Sequence, residues 1–345
     1  GGGGGGTAGT EGGAGGTGIG SGGGGGAGLG GAIFVRNGGS LTVNNCSFGN
    51  GANFNTVSAG AGGSGISGGA GSGAAGSAKG SDLYILETGA GPVSFTGTTT
   101  LYGTLGEPSG QPFNKNGTGT LVLTQASQYT GATNINAGTL SVSADTQLGS
   151  TNPATATSSA IVLSGGGTLL ANSSFSTPRS ITLNSGAIEV ANGMTFTVSG
   201  VLSSGTLNVN ASGANAGILA LTNTSISSPN SYAGGTVVNA GTLNIAADAV
   251  LGTGSLTLGN ASNATVGTLQ AAVNTSITVG SSRTVTLNYG GVIDANSTAM
   301  TIAGQITGSG TLTTKAGSGS IALTNAANNY TGATTISTGV LRAGI

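Results

Sequence analysis

The sequence has very few charged residues. It contains seven Lys or Arg and eight Asp or Glu among 345 residues, so charged side chains make up 4% of the chain. An ordinary globular domain has about 25%. The net charge of −1 argues against a nucleic-acid partner, which needs several Lys or Arg to displace its counterions. It argues equally against binding to anionic membrane surfaces.

Cysteine, histidine and long apolar runs are also scarce. The single cysteine, Cys46, cannot form an internal disulfide, so a secreted chain would need another source of stability, such as a repetitive hydrogen-bonded ladder. No apolar run approaches the roughly 18–20 residues that span a membrane. The chain begins with Gly, has no signal peptide and stops inside a repeat. We therefore expect a fragment of a longer mature protein that continues beyond residue 345.

Glycine and small polar residues are abundant instead. The 73 glycines are concentrated within residues 1–31 and 60–80, whereas the remainder is rich in Thr, Ser, Asn, Val, Ile and Leu. These are strand and turn residues, and strong helix formers are scarce. The composition predicts an all-β chain. We expect the two glycine tracts to form extensions beside the first coils, where they would cap the rod or bind a neighbouring chain.

One pattern occurs three times with identical internal spacing. It reads Tyr-x-Gly-x-Thr-x-(Ile/Val)-x-x-Gly-x-Leu, and its tyrosines lie 103 and 98 residues apart (232 − 129 and 330 − 232). The spacers match as well, with Asp145 equivalent to Asp248 and Arg179 equivalent to Arg283. The period is therefore about 100 residues. The structural repeat residues are Tyr129, Gly131 and Leu140; Tyr232, Gly234 and Leu243; and Tyr330, Gly332 and Leu341.

Within this period lie short strands of alternating character, such as Ile181/Leu183 and Val285/Leu287, separated by Gly, Asn and Ser. Such strands bury one face only, and they are stable when stacked coil upon coil. The sequence predicts a right-handed parallel β-helix, a solenoid with glycine-rich extensions near its N-terminus. We place the glycine-rich segments and a first coil (about 31–58) in residues 1–80, and the β-helix in 81–345. The helix would have about 11–13 coils and a length of about 50–60 Å.

The repeated unit and its preceding Leu-x-Leu strand resemble the autotransporter-associated β-strand repeat, also called the passenger-associated transport repeat. With the connecting coils, the resemblance covers residues 117–345. Near the N-terminus, Gly30-Gly31-Ala32-Ile33 followed by Asn45-Cys46-Ser47-Phe48 resembles the repeats of polymorphic membrane proteins, although Phe48 is followed by Asn at the second position and not the third.

The resemblance implies a type V secreted passenger at the bacterial outer surface. Such passengers are carried by a C-terminal membrane β-barrel, of which the sequence contains no segment. The repeat is thought to assist passenger folding and export, so it marks a scaffold and carries no catalytic residues. Partners expected are a surface receptor or matrix, and further copies bound end to end or through the glycine tracts.

Candidate catalytic groups are few, and we expect no catalytic, cofactor or metal site. Asp82 and Glu87 are the one acidic pair close in sequence. Asp145 and Asp248 are repeat equivalents, which favours corner capping by Asx turns. Glu189 and Asp294 are predicted to occupy equivalent coils about 20 Å apart. The match to Gly-x-Ser-x-Gly at residues 65–69 has no histidine to act as a base.

The leading hypothesis is a structural or adhesive passenger stalk or surface fibre that is not an enzyme. A carbohydrate-active β-helix enzyme is one alternative, which would need clustered carboxylates. An ice-binding solenoid is another, which would need a flat Thr-x-Thr array at the coil period, and Thr195/Thr197 is one such pair. Tyr129, Tyr232 and Tyr330 could stack on a ligand, but their fixed place in the repeat favours a structural role. Cys46 is expected to be a small buried hydrophobic residue.

Overall fold

The computed structural model describes residues 24–36, 38–64, 72–86, 93–108, 110–150 and 160–344. They fall into two compact units, one of Gly1–Asn134 with Thr146–Ser159, and one of Ile135–Asp145 with Ala160–Ile345. Strands and turns make up both units, and the helical segments of the described residues are two 3-10 turns, Asp145–Leu148 and Asp248–Leu251. The all-β prediction is confirmed.

The strands follow from the alternation in the sequence. Along Thr120–Leu123, for example, Leu121 and Leu123 are buried while the residues between them are half-buried. The same alternation recurs along most strands of both units, and it produces a core of Leu, Ile, Val and Phe. Thr, Ser and Asn, which fit a pleated and half-exposed surface, point outwards.

Twelve short strands lie among the described residues of the first unit, and the last of them ends at Ile135, the first residue of the second unit. They are β1 (Gly28–Leu29), β2 (Ile33–Val35), β3 (Leu41–Val43), β4 (Ser47–Phe48), β5 (Ala78–Lys79), β6 (Leu83–Ile85), β7 (Val93–Phe95), β8 (Thr98–Leu101), β9 (Leu105–Gly106), β10 (Phe113–Lys115), β11 (Thr120–Leu123) and β12 (Thr133–Ile135). Their parallel ladders are β2–β6–β9, β4–β8–β11, β3–β7 and β1–β5.

The second unit contains the remaining strands. They are β13 (Thr139–Val142), β14 (Ile161–Leu163), β15 (Thr168–Ala171), β16 (Phe175–Thr177), β17 (Ile181–Leu183), β18 (Ala187–Val190), β19 (Thr195–Val198), β20 (Leu202–Ser203), β21 (Leu207–Val209), β22 (Ile218–Leu221), β23 (Thr236–Val238), β24 (Gly241–Ile245), β25 (Leu256–Leu258), β26 (Val266–Ala271), β27 (Ile277–Val279), β28 (Val285–Leu287), β29 (Gly290–Asp294), β30 (Ala299–Ile302), β31 (Ile306–Gly308), β32 (Thr311–Leu323) and β33 (Thr334–Ala343).

Three parallel ladders run through the second unit. Ladder I is β14–β17–β20, ladder II is β13–β15–β18–β21–β23–β25–β28–β31, and ladder III is β16–β19–β22–β24–β26–β29–β32. The second half of the long strand β32 pairs with β30, which pairs with β27. Thr236 pairs with Leu256 and Leu256 with Val285, so these coils take 20 and 29 residues. Each unit is a parallel β-solenoid, which confirms the predicted fold class.

Equivalent strands of the two super-repeats lie in different ladders. β14, β17 and β20 of ladder I correspond in sequence to β25, β28 and β31, which lie in ladder II. Likewise β13, β15 and β18 of ladder II correspond to β24, β26 and β29 of ladder III. The reason is the number of sides in one period. Among the described residues from β13 to β23 there are eleven strands, one 3-10 turn and one irregular segment. With three sides a coil, these 13 sides make four coils and one extra side.

The described parts of the glycine tracts pack against one another through their backbones. The amide of Gly25 donates to Ala74 O at 2.8 Å, that of Gly76 to Gly60 O at 3.0 Å, and that of Gly60 to Gly26 O at 2.8 Å. A Cβ atom on Gly25 would lie 1.9 Å from Gly60 O, so these chains can approach only without side chains. Residues 1–23 and 65–71, including the Gly-x-Ser-x-Gly match, lie outside the described residues.

Candidate functional site: the repeated Tyr–Thr and Arg–Asp pairs

The tyrosine of each repeat is hydrogen-bonded to the threonine four residues later. Tyr129 Oη lies 2.7 Å from Thr133 Oγ1, and Tyr232 Oη lies 2.9 Å from Thr236 Oγ1. Both tyrosines are fully buried. Burial raises the pKa of the Tyr232 hydroxyl, and the hydrogen bond from Thr236 opposes part of that rise. The tyrosines therefore fill the interior and are not available for stacking on a ligand.

The Asp-x-x-Leu-Gly segment that follows closes over the tyrosine. In the first copy, Thr133 Oγ1 donates to Leu148 O at 3.2 Å, and in the second, Tyr232 Oη donates to Val250 O at 3.3 Å. The turn ends at a glycine with positive φ, Gly149 or Gly252. A Cβ atom on Gly149 would lie 2.7 Å from the Tyr129 ring. The tyrosine ring therefore packs against the turn only because the turn ends in a residue without a side chain.

An arginine that follows the third strand after this turn binds the aspartate of the turn. Arg179 Nε donates to Asp145 Oδ1 at 2.8 Å, and Thr177 Oγ1 donates to the same oxygen at 2.6 Å. Arg283 Nε donates to Asp248 Oδ1 at 2.8 Å. The sequence predicted a capping role for both aspartates. It did not indicate the ion pair, because Arg and Asp are 34 or 35 residues apart in the chain.

Arg283 also donates hydrogen bonds to carbonyl groups in and just after the 3-10 turn Asp248–Leu251. Its guanidinium donates to the carbonyl oxygens of Asp248, Leu251, Gly252 and Gly254. The last carbonyls of a helical turn have no partner within the turn, and a buried charge requires pairing. One side chain therefore meets both requirements, and it ties one coil to another.

The third copy has the same local geometry but is more exposed. Tyr330 Oη lies 2.7 Å from Thr334 Oγ1. Ile336 is 56% exposed, whereas its equivalents Ile135 and Val238 are fully buried. Leu341 is half-buried, whereas Leu140 and Leu243 are fully buried. The Tyr–Thr hydrogen bond therefore forms between residues of one segment and does not require that the segment be buried.

Three further acidic side chains are each bound by non-acidic partners. Asp82 accepts hydrogen bonds from Gly103 N and Asn55 Nδ2, and Glu189 from Ser212 N and Asn215 Nδ2. Asp294 pairs with Lys315 at 3.1 Å. Glu189 and Asp294 occupy equivalent strands, β18 and β29, in different ladders. Glu11 and Glu87 lie outside the described ranges.

Burial shifts the pKa values of two charged side chains of the first unit. Burial raises the pKa of Glu107 to about 9 and lowers that of Lys115 to about 8. Glu107 Oε2 is buried without a hydrogen-bond partner. Leu83 pairs with Leu105 and Tyr84 with Gly106, so Glu107 follows in line with buried Ile85.

Metal and membrane features are absent from the part of the chain that the structure describes. No group of three or more His, Cys, Asp and Glu there could hold a metal ion. Among the same residues, no helix has the length and apolar character to cross a membrane. Cys46 is exposed, so the prediction that it is buried is wrong. It follows strand β3, in a turn where Asn45 has positive φ.

The outward threonines do not form a regular array. Thr195 and Thr197 of β19 stack on Ile218 and Ala220 of β22. In the next strand of ladder III the same two positions hold Thr242 and Asn244. The Thr-x-Thr pattern that an ice-binding surface would need is therefore not repeated from coil to coil.

Comparison with known proteins agrees with this geometry. The sequence model of the family described as Passenger-associated-transport-repeat matches residues 113–142, 214–245 and 314–343, which contain the three Tyr–Thr pairs. The chain is also 35% identical over 229 residues to the adhesin BmaC autotransporter of Brucella suis biovar 1 (strain 1330). That alignment covers 62% of this chain and 6% of the relative. No solved structure matches the chain. The predicted resemblance to autotransporter passengers is confirmed.

Proposed function

We propose that the chain is a non-enzymatic length of an adhesive passenger stalk exposed at the bacterial surface. The observation that carries the scaffold role is the position of the repeated residues. The Tyr–Thr pair, the closing glycine and the Arg–Asp pair of the two complete copies are directed at the interior or at neighbouring coils. Residues selected for holding coils together are those expected of a scaffold.

The positions between the core residues of the strands differ between the super-repeats. Asn244, Gln270 and Asp294 follow one another along ladder III, whereas their equivalents in ladder II are Ser141, Leu170 and Glu189. The core leucines and isoleucines are thus repeated more closely than the residues between them, as a scaffold requires. Similarity to a protein named as an adhesin supports an adhesive role for the chain.

Display of residues 1–345 on a bacterium that does not adhere tests the adhesive role. We expect more bacteria to bind a monolayer of cultured epithelial cells, or immobilised matrix protein, than with the empty display scaffold. Surface display is verified with an antibody to a tag, so that failure of display is separated from failure to adhere. Unchanged adherence by a displayed chain would contradict the adhesive role.

Negative-stain electron microscopy over a concentration series tests how the chains associate. We propose discrete particles at low concentration and end-to-end association, or association through the glycine tracts, as the concentration rises. Fibres that lengthen with concentration would support a filament subunit. Particles of one size at every concentration would contradict self-association and leave a receptor or matrix as the partner.

A further inference from the structure

Ten asparagines stand in Asn-x-Ser/Thr triplets, the acceptor pattern for N-linked sugars. A chain rich in Asn, Ser and Thr contains such triplets by chance, so the pattern alone assigns nothing. The structure separates them by how freely each amide can project into solvent, since hydrogen bonds to the fold hold the amide in place and leave less room for a sugar on Nδ2. The ten are Asn45, Asn116, Asn172, Asn210, Asn223, Asn260, Asn263, Asn274, Asn296 and Asn329.

Seven of these side chains are hydrogen-bonded within the fold. Asn210 is fully buried and donates to Gly217 O and Ala240 O. The amide nitrogens of five others donate to backbone or side-chain oxygens, and Asn45 Oδ1 accepts the amide proton of Thr98. A sugar there would remove or crowd these bonds. The five are Asn116, Asn223, Asn260, Asn263 and Asn296.

The remaining three, Asn172, Asn274 and Asn329, are exposed, and their side chains make no hydrogen bond within the described residues. Asn172 and Asn274 occupy equivalent positions in the two super-repeats. Each lies three residues before a strand, β16 for Asn172 and β27 for Asn274. The hydroxyl residues of the three triplets, Ser174, Ser276 and Thr331, are exposed as well. An enzyme could therefore reach both halves of each acceptor.

The composition gives these sites a physical purpose. With 4% charged residues and a net charge of −1, the chain has little charge repulsion to keep its copies apart. A net charge near zero promotes association and precipitation. A sugar at an exposed corner would add many hydroxyl groups to water without altering the interior.

We propose that Asn172, Asn274 and Asn329 are acceptor sites for N-linked hexose. The donor is an activated sugar whose anomeric carbon carries a phosphate or diphosphate leaving group. The amide nitrogen bonds to that carbon, the carbon–oxygen bond to the leaving group breaks, and the amide proton passes to a base. Addition to the folded protein would select these three, since their amides are exposed and are not held by hydrogen bonds within the described residues.

Peptide mass spectrometry of the native protein tests the assignment. We expect hexose on the three free asparagines and none on the seven that are bonded. A single hexose would indicate a nucleotide-sugar donor, and a longer chain would indicate a lipid-linked oligosaccharide. Unmodified peptides at all three positions, or sugar on the bonded asparagines, would overturn the proposal.

Matched variants produced in the native organism separate the acceptor from its surroundings. Ser276→Ala should abolish the modification of Asn274, whereas Ser276→Thr should retain it, because both keep Asn274 and differ in the hydroxyl group. Asn263→Gln, at an exposed but bonded asparagine, should leave every modified peptide unchanged. Equal modification in Ser276→Ala and Ser276→Thr would contradict recognition of the triplet. None of these results depends on whether the chain is adhesive.

Discussion

At the scale of single residues, the repeated tyrosine and arginine bury polar groups that their neighbours satisfy, whereas Glu107 Oε2, Thr99 Oγ1, Ser127 Oγ and Thr314 Oγ1 are buried without a hydrogen-bond partner among the described residues. The hydroxyl group of Tyr232 is bonded to Thr236 and to Val250 O, and the guanidinium of Arg283 reaches four carbonyl groups. Glu107 Oε2 has no such partner. Stability should therefore respond strongly to the tyrosine and should depend on pH through the glutamate.

We expect Tyr232→Phe to cost about 1–3 kcal/mol, because Thr236 and Val250 O lose a buried partner. The matched change Tyr330→Phe should cost less, since Tyr330 makes the same bond where water can replace it. The midpoint of urea denaturation measures both. Equal shifts would show that burial of the pair contributes nothing to its strength.

Glu107 makes the free energy of unfolding fall as the pH rises. Its pKa is raised from 4.5 to about 9 in the folded chain, so between these values the folded state keeps a proton that the unfolded state releases. We expect Glu107→Gln to remove this dependence and to stabilise the chain at pH 7, by on the order of a few kcal/mol.

Urea midpoints at pH 5 and pH 7 test this, since Lys115 titrates above that window with a pKa of about 8. The native chain should lose stability between the two pH values, and the variant should lose less. Parallel pH profiles for the two proteins would contradict a neutral, buried Glu107.

At the scale of elements, the 3-10 turn of each complete repeat is joined to a later coil by one arginine. The turn Asp248–Leu251 and the segment after β27 are brought together by Arg283. Ion pairs of this kind differ from those at the surface, because breaking a buried pair leaves a charge without compensation. The pair of Lys315 with Asp294, in which the aspartate is buried and the lysine is 56% exposed, offers a comparison.

We expect Arg283→Ala to cost about 3–5 kcal/mol, because Asp248 and the carbonyls of its turn lose their shared donor. Lys315→Ala should cost less, since the Lys315 side chain is 56% exposed and Asp294 keeps the hydrogen bonds that Gln270 Nε2 and Asn296 N donate to it. Urea denaturation of the two variants gives the comparison. Similar small shifts would mean that the Arg–Asp pair is not what joins the coils.

At the scale of the whole molecule, strands of both super-repeats can be compared within the second unit. There the thirteen-sided period moves equivalent strands from one ladder to the next. A given outward position is therefore presented on a different face in each super-repeat. Residues that are neighbours along one ladder belong instead to successive coils, as Thr257 and Thr286 do.

Paired cysteines test this arrangement. In a Cys46→Ser background, Thr257→Cys with Thr286→Cys should form a disulfide, because they are register partners on strands about 4.8 Å apart. Val162→Cys with Thr257→Cys should not, although the two positions are repeat equivalents, since they lie in ladders I and II. Mobility on a non-reducing gel measures both. Rapid crosslinking of the second pair would mean that equivalent strands stack directly.

Much of this protein follows from its sequence alone. Alternation of apolar and polar residues is a local property, so strands such as Ile181–Leu183 and the all-β solenoid could be predicted. The three spaced copies of the tyrosine repeat were equally visible, and with them the resemblance to autotransporter passengers. These features need only neighbours in the chain, or a count of residues between copies.

Other features were decided by the tertiary structure. Arg283 and Asp248 meet only because coils of unequal length bring residues 35 apart into contact. The shift of super-repeats between ladders depends on an irregular segment and a 3-10 turn that take the places of strands. Glu107 lies in line with the core because Leu83 and Leu105 are in register. Register and coil length are set by packing against the next coil, and the sequence of one short segment does not specify that packing.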